Sequence, residues 1–277
     1  MLASLPGDAK LIFAVDVTKL RHSPIAQRGW SLLRELPMVD ELIGTMCGAL
    51  DDVKYALVGL EDADGHKSWG WLHGVNRDAK LTCTKAVEQQ KLKQTKSFSR
   101  GDYSLETSTT STTEILWLDA TTAFYFQHAP DDKLIGEPEL RRVLAAGGGF
   151  TQGDLATLLD HVDFESGLVM VGDGAMTKQP GIGGLAFSIE ADAGLRAQAY
   201  VQLENEDRAS GIQSQMRAVL AQLVKNRMLE SAEARAEGKG LAASIEMTGA
   251  QFDWWIELAL AKAKDPNAPI PPPPSAN

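Results

Sequence analysis

Residues 185–203 constrain the fold more than any other stretch. Leu185, Phe187 and Ile189 alternate with Ala186, Ser188 and Glu190, and Ala191-Asp192-Ala193-Gly194 supplies turn residues. Leu195, Ala197, Ala199, Val201 and Leu203 then alternate with Arg196, Gln198, Tyr200 and Gln202. Period-two alternation on both sides of a turn predicts an antiparallel hairpin with one apolar and one polar face. Ile212, Met216, Val219, Leu220, Leu223 and Val224 follow at helical spacing. They predict an amphipathic helix over the apolar face. Nothing stops that helix before Gly238, which is expected to cap it.

The rest of the chain repeats these signals. Residues 10–17 are apolar on both faces, which places a strand inside a sheet. Ser23-Pro24 predicts a helix start, and two apolar stripes between Ile25 and Leu50 predict two helices. Strands are expected at 53–60, 68–74, 98–107, 167–171 and 241–247, and a hairpin at 114–118 and 123–128. The Thr/Ser run 107–113 reads as a loop or an edge strand. Helices are expected at 78–94, at 137–144, from Asp154, and after a Thr248 cap, where Phe252, Trp255, Ile256 and Leu260 share one side. Gly147-Gly148-Gly149 marks a boundary. The predicted fold class is therefore α+β: antiparallel sheets covered by amphipathic helices, in two halves at 1–146 and 147–265, with a Pro-rich tail at 266–277. A faint internal echo pairs Glu41–Gly59 with Asp154–Gly172, aligning Gly59 with Gly172.

The search for chemistry finds no catalytic constellation. Gly147-Gly148-Gly149 lacks the Lys-Ser/Thr of a phosphate loop, and Gly181-Ile182-Gly183-Gly184 does not open a helix. No histidine has a second ligand at i+4, and His161 with Asp163 would need distant help to hold a metal. Acidic pairs at Asp51/Asp52 and Asp131/Asp132 fall where turns are expected. Cys47 and Cys83 have no ligand partner in the sequence. Cys47 reads as a buried thiol, and a single disulfide between them stays open. No cofactor or metal is expected. A net charge of -10 disfavours nucleic acid. The Lys85–Lys96 run reads as a solvated segment. No apolar run is long enough for a membrane span. Trp69, Trp71 and His73 share a strand face that reads as a sheet face packed under a helix or as an exposed platform, and Trp254 sits beside the buried stripe of the last helix as a boundary core residue or an interface anchor; these four residues are the candidate binding surface.

Several segments resemble a family. Leu5-Pro6-Gly7-Asp8-Ala9 precedes a strand ending Val15-Asp16-Val17, and Leu20-Arg21-His22-Ser23-Pro24 follows. This opening resembles that of uncharacterised secreted or periplasmic envelope proteins of bacteria, often lipoproteins of myxobacteria and their relatives. Residues 137–144, the Gly-rich stretch and residues 154–171 look like the middle of such proteins, and the hairpin, helix, strand and last helix look like their second half. The resemblance implies a periplasmic or envelope setting and carries no catalytic residue. No signal peptide or lipid-attachment cysteine is seen at the start of this sequence. An untrimmed chain would be expected in the cytoplasm, and a membrane would be reached only through an anchor outside the sequence. The expected function is non-enzymatic contact with another envelope protein. The alternative is a small-molecule or glycan module using a cleft between the halves.

Overall fold

The computed structural model describes residues 9–28, 53–61, 67–82, 96–146, 155–177, 180–265, 267 and 269–274. Among them, twelve strands form one antiparallel sheet: β1 (Leu11–Asp16), β2 (Tyr55–Leu60), β3 (Ser68–His73), β4 (Lys96–Arg100), β5 (Tyr103–Thr107), β6 (Thr112–Trp117), β7 (Thr122–His128), β8 (Leu168–Asp173), β9 (Ile182–Ala191), β10 (Gly194–Leu203), β11 (Ser231–Glu237) and β12 (Gly240–Thr248). Their order is β11-β12-β10-β9-β8-β1-β2-β3-β7-β6-β5-β4. The labelled helices are α1 (Val17–His22), α2 (Gly136–Ala146), α3 (Ala156–Leu159), α4 (Gly174–Thr177), α5 (Glu206–Lys225) and α6 (Gly249–Lys264).

This corrects the expected fold class. Instead of separate sheets under helices, a single sheet runs unbroken through the molecule. The reason lies in β1. It is apolar on both faces and hydrogen-bonds on both edges, to β2 and to β8. The two sides therefore join through a backbone ladder, with Phe13 opposite Met170. No cleft separates them at that ladder. Outward from this pair the order runs β2, β3, β7, β6 on one side and β9, β10, β12, β11 on the other. The echo seen in the sequence does not match this correspondence, since Gly59 lies on β2 and Gly172 on β8. Its partner segment around 41–52 lies outside the described residues, as do Cys47, Cys83 and the Gly147–Gly149 boundary.

The helices cover only parts of the sheet. Across one face run the chain from 129 to 146 and the segment 155–164. Leu140, Leu155 and Leu158 pack there against Ile12, Leu57, Trp69, Phe124, Val169 and Ala186. That packing reverses the expected sidedness of β9. Ala186 and Ser188 are sealed, while Leu185, Phe187 and Ile189 on the other face are half-buried. Only small groups fit beneath α3: a Cβ on Gly184 would lie 2.5 Å from Leu158 Cδ1.

On the opposite face α5 packs Ala209, Ile212 and Met216 on Val201, Leu203, Ala236 and Leu241. It stops at Lys225, short of the expected Gly238, and Arg227 takes a left-handed φ of 61° just beyond. The next residues alternate Ala232, Ala234 and Ala236 with Glu233, Arg235 and Glu237, a period-two pattern that makes the edge strand β11. Gly238 (φ 58°) turns the β11–β12 hairpin. Helix α5 also guards this edge. Arg217 Nε donates to the Ala234 carbonyl at 2.8 Å and Gln213 Nε2 at 3.3 Å, satisfying a strand-edge acceptor.

Candidate functional site

The four residues proposed from sequence do not form one surface. Trp69 is 7% exposed and stacks on Phe126 at 4.1 Å between ring centroids. Its Nε1 donates to Glu61. Trp71, two residues on and on the same face, packs on Phe124 at 5.4 Å. Its Nε1 is buried with no hydrogen-bond partner among the described residues. Trp69 belongs to the core and Trp71 packs half-buried against it, both beneath the chain that crosses above them. His73, at the strand end, is exposed and sits 3.0 Å from Thr122 Oγ1 through Nδ1. Trp254 lies far along the chain on α6. It is 6% exposed, edge-on to Trp255 at 4.9 Å, and donates to the Pro271 carbonyl at 3.2 Å. The Pro-rich tail is thus fastened at Pro271.

Sequence reasoning missed Glu114. It is fully buried, and its carboxylate collects four donors. Ile135 N (2.8 Å) and His128 Nε2 (3.2 Å) reach Oε1, while Gly136 N (2.7 Å) and the Tyr103 hydroxyl (2.7 Å) reach Oε2. Gly136 at φ 78° bends the chain there, and consecutive N–H groups converge on the anion. His128 is itself 1% exposed, and its Nδ1 faces the Ala129 carbonyl at 2.9 Å. Burial and the bond to Glu114 push the Tyr103 phenol up from its ordinary value. Glu114 and His128 are closed to solvent, Tyr103 is half-buried, and every member is partnered. It fastens the crossing chain to the sheet and offers no access to a substrate. The signal in the sequence was an acid inside an apolar strand, Thr-Thr-Glu-Ile-Leu-Trp.

The open site lies at the other end of the same face. A groove of about 390 Å³ has Gln198, Tyr200, Ala242 and Ser244 of β10 and β12 as its floor. The loop residues Asp160, His161 and Asp163 form one wall, and Glu233, Arg235 and Glu237 of β11 form the other. His161 lies flat on Tyr200, with 3.5 Å between ring centroids and 5° between planes. The Tyr200 phenol is raised, first by burial and then by the nearby Glu237 charge. Arg235 Nε is 2.6 Å from Glu237 Oε1. Asp163 Oδ1 accepts from Glu165 N at 2.8 Å. Among the described residues Asp160, Asp163 and Glu233 have no ion-pair partner, and no three His, Cys, Asp or Glu side chains are placed to hold a metal ion. Such a surface binds by charge and hydrogen bonding. Its alternating charged residues on β11 were in plain view in the sequence, but were read as helix.

Comparison with family models, with characterised proteins and with solved structures gave no match. Among the described residues no helix is long and apolar enough to cross a membrane.

Proposed function

We propose that this protein acts by non-covalent contact with another protein, in the cell-envelope setting that its resemblance implies. One observation carries this reading: the groove on β10, β12 and β11 is an open, polar concavity at the sheet edge, walled by charged side chains. Small-molecule sites bury most of their ligand among apolar groups. A shallow polar floor with charged rims fits a segment of a larger partner. The alternative of a glycan or small-molecule site between the halves loses its location, because β1 and β8 are hydrogen-bonded there. The test is crosslinking of the native protein in its own cells, read by mass spectrometry. A reproducible partner crosslinked at the groove walls is the expected result. A monomer with no partner, together with a saturable small-molecule ligand that protects Tyr200 from nitration, overturns the reading.

A further inference from the structure

The sheet contains its own comparison for the groove. Along the ladder from β1, Ile12, Gly59, Trp69, Phe126 and Glu114 stand side by side. A half-turn about the middle pair of the β1–β8 ladder, Phe13 opposite Met170, matches Ile12 with Val169, and from there the same steps give Ser188, Gln198, Ser244 and Glu233. Glu114 and Glu233 thus occupy matching stations on matching strands, facing the same side. The neighbouring row matches Trp71 with Tyr200, Phe124 with Ala242, and Leu116 with Arg235. On the first side the station is filled: a stretch of chain lies across the strands and presents two N–H groups to the Glu114 carboxylate. On the second side the floor is polar or small, and Glu233 is exposed with no cation among the described residues.

We propose that a basic, extended segment of a partner protein occupies this second station, with a Lys or Arg side chain between Glu233 and the Asp160/Asp163 wall. The proposal rests on the contact-protein reading above and names the partner's chemistry. Four carboxylates line the groove against one guanidinium, and that guanidinium is tied to Glu237. The unbalanced charge selects a cation. Gln198 and Ser244 on the floor offer neutral donors and acceptors to a peptide backbone. The chain's net charge of -10 steers a basic partner toward it.

The test uses the full chain and a fluorescein-labelled alternating Lys-Gly decapeptide, read by anisotropy at low salt and at about 0.15 M salt. Saturable binding is expected, weakened about fivefold by Glu233→Gln and about fivefold by Asp163→Asn. Asp131→Asn, an exposed acid outside the groove, should leave binding unchanged. All three variants should keep the parent melting temperature. The proposal is overturned if Asp131→Asn weakens binding as much as the groove variants, which is adsorption by net charge alone. It is also overturned if ethylammonium displaces the peptide at equal concentration, which marks a small-cation site. An alternating Glu-Gly peptide that binds as tightly overturns it too. A cellular partner crosslinked elsewhere on the surface would refute this segment while leaving the contact-protein reading intact.

Discussion

Glu114 and Glu233 stand four strands out from the central pair β1 and β8, on opposite sides of it. Around Glu114 the matching floor is Trp69, Trp71, Phe124 and Phe126, and a crossing chain seals it. Around Glu233 the floor is Gln198, Tyr200, Ala242 and Ser244, and it meets solvent. The difference teaches what each acid is for. An aromatic floor gains by being covered, so the covering chain needs an anchor, and a buried carboxylate with four donors supplies one. A polar floor gains little from covering, and the same acid at its rim remains available to a partner.

Substitutions at matched stations put that contrast at risk, beginning with the largest effect. Trp69→Ala should cost about 4 kcal/mol in urea unfolding, because a buried indole leaves a cavity, whereas Gln198→Ala at the matching station should cost less than about 0.5 kcal/mol. Equal costs would break the comparison. Glu114→Gln should cost about 3 kcal/mol, since the amide turns its own N–H toward the Ile135 or Gly136 N–H and leaves a buried donor unpaired. Glu233→Gln should stay within about 0.5 kcal/mol in the same measurement.

The alkaline limb of stability probes both faces of this half of the sheet: Tyr103 beneath the crossing chain, and Tyr125 on the reverse face against Ile115 and Trp117. Burial pushes the Tyr125 phenol up to about 12, against an ordinary 10.0. Tyr103 is raised as well. A folded-state value above the unfolded one means the unfolded chain loses its proton first. Stability is then complete below pH 10 and should fall between pH 10 and about 12 as these phenols ionise only on unfolding. Urea midpoints across that range, beside absorbance titration of phenolate, would show it. A flat profile would mean the phenols meet water freely. The smallest effect is at the guarded edge. Arg217→Ala should cost about 1 kcal/mol by removing a donor from the Ala234 carbonyl. Light scattering should show increased self-association of the variant if the uncovered edge of β11 becomes adhesive.

Individual strands were legible, but the single sheet they build was not. The alternation at 185–203 reports β9 and β10 almost to the residue, because period-two patterning reflects pleat geometry directly. Thr248 caps its helix with Gln251 in a reciprocal box, as the local chemistry dictates. What failed was anything set by distant partners. β11 looked helical since Ala, Glu and Arg favour helices, and only pairing with β12 overrides that. For Trp69 and Trp71 a face packed under a helix and an exposed platform both stayed open, because nothing local announces the chain that covers them. The Glu114 cluster joins β5, β6, β7 and the start of α2, so no single window of sequence contains it.

The ladder between β1 and β8 has a consequence for the ribosome. β1 leaves the ribosome long before β8, so one of its edges has no partner until residues 168–173 have emerged. At roughly 5–20 residues per second, that interval after β2 lasts on the order of ten seconds. For that time a short, apolar strand edge is held by β2 alone. A nascent chain stalled before β8 would present it as bait for chaperones or for a neighbouring copy.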